Sequence, residues 1–256
     1  LFKLHSPLNY IVGGGFFVRH VFLPLSLAWE AFETKNGTPD YVSFRNSIYK
    51  YRRSDYRTEP DPEIGCMILS TPFFFERQNW IPVPEDWRPN IVQGKIYDTN
   101  TLLGKKLYDQ VMSILKDRHL HQSEMIAEIN AGNQYGSAQI VYPRIGQGTF
   151  KVMVTEAYHR RCAITGEKTL PALEAAHIKP FSRNGPNMTS NGLLLRRDIH
   201  TLFDRGYITI NEDLRIEVSK RIKEDYGNGR EDYDFHGNKL AEIPDNEHDK
   251  PSKKYL

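Results

Sequence analysis

Cys162-Ala-Ile-Thr-Gly166, Leu173-Glu-Ala-Ala-His177-Ile-Lys-Pro180, Asn191-Gly-Leu-Leu-Leu195 and Ile199-His200-Thr-Leu-Phe-Asp204-Arg-Gly206 decide the fold of the C-terminal half. His200 and Asp204 stand four residues apart in a stretch with a helical pattern, so both side chains share one helix face. An imidazole and a carboxylate with coordination positions left open suit a catalytic divalent ion rather than a closed structural site. His177 follows Ala175 and Ala176 in a strand-like setting. A neutral imidazole titrates near pH ~6.5, which suits it to take a proton from water at neutral pH. Asn191-Gly192 reads as a tight-turn dipeptide whose amide braces the loop carrying that base. The pattern is a base on a hairpin, an Asn in the turn and metal ligands on the next helix. It suits hydrolysis in which a metal stabilises the phosphate charge and the leaving oxygen.

The order of His177, Asn191 and His200, the spacing of nine between the last two, and the flanking words resemble the HNH, or ββα-metal, nucleases over about 150–244. The resemblance implies His177 as general base, Asn191 as orienter of the hairpin, and His200 and Asp204 as metal ligands. It also implies a divalent ion, Mg²⁺ or Mn²⁺ first, with Co²⁺, Ni²⁺ or Zn²⁺ as substitutes. One position departs from the pattern: many relatives carry a metal ligand immediately before the base, and here that residue is Ala176. Glu174 is set aside as its replacement because strand alternation puts it on the opposite side from His177. The cysteine pairs that brace some such modules are absent, so this one is expected to fold without structural zinc. Arg196 and Arg197, just before the metal helix, are candidate DNA contacts, as are Arg160 and Arg161 at the end of an expected helix.

Working outward, helices are expected over 150–161 and 103–118, the latter from the stripe Leu107, Val111 and Leu115. The stretch 122–142, with Gly132 and Gly136, reads as a connector, and the polar tail from Pro244 as frayed. The first hundred residues alternate short apolar and aromatic runs (1–4, 10–12, 16–18, 66–69, 73–75) with Gly and Pro clusters, a pattern of a small barrel or curled sheet. Two helical pieces interrupt it, one facing inward with Leu25, Trp29 and Phe32, the other with Phe44, Ile48 and Tyr51. Gly13-Gly14-Gly15 reads either as a place where the backbone approaches DNA closely or as a strand bend; no Gly-Lys-Ser/Thr follows, so it is not a phosphate loop.

Leu-Phe-Lys-Leu-His-Ser-Pro at the start, Ile11-Val-Gly-Gly-Gly-Phe-Phe17, Leu27-Ala-Trp-Glu-Ala-Phe32 and Ile91-Val-Gln-Gly-Lys-Ile-Tyr-Asp98 resemble the EVE branch of the PUA superfamily. Joined to an HNH module, this is similar to the modification-dependent restriction endonucleases. The resemblance implies a reader that accepts a flipped 5-methylcytosine or 5-hydroxymethylcytosine. A flipped base needs an aromatic surface, and Phe16, Phe17, Trp29, Trp80 and Trp87 are available, with Phe16, Trp29 and Trp80 taken as the pocket. The basic run Arg45, Lys50, Arg52, Arg53 and Arg57, interleaved with tyrosines, suits backbone phosphate, with Arg52 and Arg53 as its centre.

The whole chain bounds these readings. It has 256 residues, 39% hydrophobic and 12% aromatic, enough for real cores and against wholesale disorder. A net charge of +2 permits nucleic-acid binding without demanding it. Cys66 and Cys162 form no CxxC pair and read as reduced thiols of a cytoplasmic protein. No apolar run approaches the ~18–20 residues that span a membrane. Leu1 opens mid-strand, with residues expected upstream and no signal-peptide pattern. The expected architecture is α+β: an EVE/PUA-like small β-barrel with flanking helices over 1–100, a helical linker over 101–147, and a ββα-metal HNH domain over 148–256. The expected function is a modification-dependent DNA endonuclease acting on double-stranded DNA as a homodimer. The alternatives are an HNH enzyme insensitive to modification, sequence-specific or nicking, and a non-catalytic reader of nucleic acid.

Overall fold

The computed structural model describes residues 1–52, 59–88, 90–91, 94–129, 146–227 and 230–256. Two compact units form, Leu1–Val18 with Leu69–Pro143 and Arg19–Ile68 with Arg144–Leu256. The stretch 19–68, read from sequence with the N-terminal domain, therefore groups with the C-terminal residues.

The first unit carries most of an antiparallel sheet. Strand β1 (Phe2–Lys3) and strand β4 (Ile81–Pro82) both pair with β2 (Tyr10–Pro24), and β3 (Glu63–Phe74) is the other neighbour of β2. The expected barrel is not closed: among the described residues the sheet is open. β1 and β4 are two residues long and both spend their pairing on β2, so nothing joins the sheet's edges. The two short strands expected around the glycine run are one continuous strand. A Cβ at Gly13 would stand 2.2 Å from the Phe73 carbonyl oxygen, so the glycine serves close approach of β3's backbone, not a bend. Helix α3 (Leu102–Ile129) lays Leu107 and Val111 on Ile11, Phe75 and Ile81. It outruns its expected end at 118 because no Gly or Pro occurs before Gly132.

In the second unit, α1 (Leu25–Phe32) buries Leu25, Leu27 and Ala28. α2 (Tyr41–Tyr51) starts on Asp40, whose carboxylate accepts the Ser43 amide proton at 2.8 Å. α4 (Gln147–Ala157) packs against α1 and against a hairpin of β5 (Leu173–His177) and β6 (Gly192–Arg196). α4 stops short of the expected 161 because His159 and Arg160 both take left-handed backbone, φ 50° and 59°. Helix α5 (Arg197–Asp204) follows β6 directly, then the ribbon β7 (Ile208–Ile210) and β8 (Ile216–Val218), then the short α6 (Arg221–Tyr226) and α7 (Arg230–Tyr233). Phe150, Val154, Tyr158, Leu193, Leu195, Ile199, Ile208 and Ile216 form one core that fixes the helices on the hairpin.

Asn191-Gly192 is not a tight turn. Asn191 closes a 3₁₀ turn, and Gly192 opens β6 in extended backbone, φ −127°. Glycine is required there because a Cβ would lie 2.4 Å from Val154 Cγ2 of α4. The expected frayed tail is docked as well. Ala241 N–H donates to Ala163 O at 2.8 Å, Ser252 N–H donates to Ser190 O at 2.9 Å, and Pro251 is buried. Among the described residues, no helix is long and apolar enough to cross a membrane.

Candidate active site

β5 is covered on both faces, and each helix takes a different functional side chain from it. By alternation, Leu173, Ala175 and His177 point one way and Glu174 and Ala176 the other. Toward α4, the His177 ring stacks on Phe150 with centroids 4.0 Å apart and planes 10° apart. Phe181, half exposed, lies 6.4 Å away and tilted. His177 Nε2 is 2.8 Å from Asn187 Oδ1.

The long connection 178–191 between the strands is pinned by one fully buried side chain. Asn191 Oδ1 accepts from Lys179 N–H at 2.8 Å, and Asn191 Nδ2 donates to Lys179 O at 3.1 Å and to Pro186 O at 3.0 Å. Those three bonds convert an irregular loop into a fixed one. Tyr158 donates its hydroxyl to Gly192 O at 3.2 Å from below, and burial pushes that hydroxyl's pKa up.

Toward α5, Glu174 bridges two residues one turn apart. Its Oε2 lies 2.9 Å from His200 Nδ1 and its Oε1 2.9 Å from Arg197 Nε. Arg197 also approaches Glu30 at 3.7 Å. On the other side of the imidazole, His200 Nε2 is 3.4 Å from Asp204 Oδ2. Strand parity puts Glu174 on the face opposite His177, as expected, and there it contacts His200. The face opposite His177 is the one that α5 covers, so Glu174 meets the helix that carries His200.

The pair His200–Asp204 has a chemical consequence. With the Nδ1 proton given to Glu174, Nε2 presents a lone pair toward a carboxylate oxygen. Two acceptors this close suit a cation between them, a ring proton or a metal ion. The mostly exposed Asp204 leaves the rest of a coordination shell to water. The donors therefore fit a loosely held divalent ion and not a closed site. Among the described residues, no three His, Cys, Asp or Glu side chains group as a metal site, so His177 does not complete a protein triad with His200 and Asp204.

The candidate DNA-binding arginines are occupied to different degrees. Arg160 is tied to Glu156, Glu63 and the Phe22 carbonyl at 2.7–2.8 Å. Arg196 forms a two-pronged bond to Asp198 at 2.7 Å, and this holds the Asp198 carboxyl below the usual range. Arg161 lies 3.9 Å from Glu242, and Arg197 stays 57% exposed while holding Glu174. Arg52 caps α2 and is half buried. Arg53 lies outside the described residues.

The first unit holds a separate cavity of about 1040 Å³, lined by Phe16, Phe73, Trp87 and Tyr97 with Lys3 and Lys95 among its polar groups. Lys3 Nζ sits 5.3 Å over the Trp87 ring and Lys95 Nζ 5.2 Å over Tyr97. Burial first, then a bond to Asp86, pushes the Tyr97 hydroxyl up to about 12. Of the three residues chosen from sequence, Phe16 lines this cavity. Trp80 packs on the α3 core and donates its indole N–H to Phe75 O at 3.2 Å. Trp29 lies in the other unit, against Tyr41 and Phe44. Trp87 was a candidate by composition, but no local pattern raised it above the others.

The second unit thus carries a two-stranded hairpin followed directly by a helix, with His177 on the hairpin and His200 and Asp204 on the helix. Residues 162–211 match the model of a known family, HNH endonuclease, and the chain is on that ground a nuclease, a phosphodiester hydrolase. No curated protein matches the chain.

Proposed function

We propose that the protein is a modification-dependent DNA endonuclease, in which the cavity of the first unit reads a flipped 5-methyl- or 5-hydroxymethylcytosine and the hairpin–helix module cuts. The observation that carries the reading is the coexistence of a nuclease module with an aromatic, lysine-bearing cavity elsewhere in the chain. Stacked rings hold a base by its faces at roughly 1–3 kcal/mol each, and Lys3, bonded to Asn9, and Lys95, paired with Asp86, carry the positive charge at the cavity wall. The cavity exceeds one base in size, leaving room for the sugar and a substituent at the 5-position. In this reading the EVE/PUA-like reader lies within 1–100, with 101–147 as the helical link and 148–256 as the nuclease, although 19–68 groups with the C-terminal residues and α3 packs on the first unit's core.

At the cutting centre, His177 takes a proton from the attacking water as its oxygen bonds to phosphorus. The opposite P–O bond breaks, and the leaving oxygen is protonated from solvent. Asn191 fixes the loop, and His200 and Asp204, on the α5 side of β5 while His177 lies on the α4 side, would hold a divalent ion, Mg²⁺ or Mn²⁺ first. When bound, that ion supplies positive charge for the phosphate and the leaving oxygen. Glu174 orients His200 through Nδ1 and is itself held by Arg197. Arg161 and Arg197 supply phosphate contacts. One cutting centre severs one strand, so a double-strand break requires a homodimer or two successive nicks.

The test is cleavage of matched unmodified, methylated and hydroxymethylated duplexes with each of Mg²⁺, Mn²⁺, Co²⁺ and Ni²⁺. Preference for a modified duplex is expected; equal cutting of all three removes the reader and leaves an HNH enzyme of another specificity.

A further inference from the structure

An imidazole that acts as a base must carry its proton on one nitrogen and a lone pair on the other, so something has to choose. At His177 the choice is visible. Nε2 lies 2.8 Å from Asn187 Oδ1, and a carboxamide oxygen only accepts, so the proton belongs on Nε2 and the lone pair on Nδ1. A half-turn of the ring about Cβ–Cγ keeps its plane against Phe150, 10° away, but puts Cε1 where Nε2 meets Asn187, so the Asn187 contact fixes the ring's orientation. Asn187 is held in turn by the loop's internal bracing. Its neighbour Pro186 gives its carbonyl to Asn191 Nδ2 at 3.0 Å, and Asn191 is fully buried.

We propose that Asn187 is the positioning residue of the general base: its side-chain oxygen holds His177 as the Nε2–H tautomer, so that Nδ1 receives the proton of the attacking water. This rests on the reading of His177 as the base. The buried Asn191 then acts at one remove, setting Pro186 and hence Asn187 rather than touching the base. In the reaction the water O–H proton passes to Nδ1 while the new O–P bond forms. The Nε2 proton stays on the ring, donated to Asn187 Oδ1 throughout, and Nδ1 later releases its proton to solvent. The amide is neutral, so it selects the tautomer without adding a carboxylate's charge next to the ring.

Nitrogen-15 NMR of the His177 ring in the full chain, at a pH where the ring is neutral, reads the tautomer without reference to activity. The expected result is the Nε2–H pattern in the wild type, and a mixture or the Nδ1–H pattern in Asn187→Ala. Single-turnover cleavage by Asn187→Ala should fall roughly 10–100-fold with the Kd for duplex DNA unchanged, a loss smaller than removal of the base itself. Asn187→Asp places an acceptor oxygen at the same point, so it should restore the Nε2–H pattern and most of the rate. An Nδ1–H wild type overturns the proposal, as does an Asn187→Ala protein that keeps both tautomer and rate. If Asn187→Ala does not fold, the wild-type spectrum and the Asp variant still decide. Full cutting by His177→Ala would instead remove the base assignment and leave the tautomer result standing.

Discussion

The hairpin–helix module and the N-terminal cavity present their functional groups by opposite means. In the module, each polar side chain is held by another a short distance away: His177 by Asn187, the loop by Asn191, His200 by Glu174, and Glu174 by Arg197. In the cavity, rings and lysines come from segments as far apart as Lys3, Phe16, Phe73, Trp87 and Tyr97. On the proposed function, the difference follows from the tasks. Proton transfer and metal holding need fixed geometry within fractions of an ångström, which local bonds enforce. Reading a base by its faces tolerates a roomier site built from remote chain segments.

The contrast breaks most openly at His177. If the module is a fixed machine around one base, His177→Ala should lower single-turnover cleavage by about 10²–10⁴-fold while the Kd for DNA stays within a factor of about two. A variant that loses DNA binding along with cutting would show that His177 belongs to a binding surface instead.

The same contrast explains what could be read from the sequence. Within the module, local order carries the chemistry: His177, Asn191, His200 and Asp204 are spaced by one hairpin and one helical turn, so their words survive in the linear chain. The contact of Glu174 with His200 was not legible because strand parity tells which face a residue takes but not which helix covers that face. Asn187 was missed because its contact with His177 depends on how the loop 178–191 folds back, and a loop has no period to read. In the first unit, the apolar runs located the strands, yet nothing in them said that β1 and β4 would both pair with β2 and leave the sheet open. Trp29 and Trp80 looked as suitable as Trp87, since an indole packed on a core and one lining a cavity have the same local signature.

Glu174 provides the next test. Glu174→Gln keeps the size but weakens the acceptor that fixes the His200 tautomer. Removing such an outer partner lowers metal affinity by about 10–100-fold. Mn²⁺ titration by calorimetry should show that loss, with the unfolding midpoint little changed. Unaltered Mn²⁺ affinity would mean that the Glu174–His200 bond is structural and that the two acceptors at Nε2 are bridged by a proton.

Trp87→Ala sharpens the other side of the comparison. A lost stacking surface should weaken binding of a modified duplex by roughly 1–3 kcal/mol, about 5- to 150-fold in Kd, and leave cutting at saturating DNA nearly unchanged. Trp80→Ala is the matched control, because its indole supports the α3 core: it should lower thermal stability and spare discrimination between duplexes. The reverse pattern would move the reading surface out of the cavity.

The smallest effect concerns where the module ends. His159, in left-handed backbone just past α4, places Nδ1 2.8 Å from Glu242 and Nε2 3.0 Å from Asp245, with Arg161 also 3.9 Å from Glu242. The Glu242 bond, aided by Asp245, raises the His159 pKa above its ordinary value against a smaller opposing effect of burial. A raised folded-state pKa means that the stabilisation is fully present below the unfolded value of ~6.5 and is lost as pH rises through the folded one. The ring is 44% exposed, so solvent screening keeps the contribution below about 1 kcal/mol. Chemical denaturation of wild type and His159→Gln should therefore differ most near pH ~5.5 and converge near pH ~8.5. If the two proteins differ equally at both pH values, the clasp is not charged, and the terminal segment is held by its packing and its backbone bonds to Ala163 and Ser190. Either result bears on the active site, because Ser190 immediately precedes the asparagine that pins the loop.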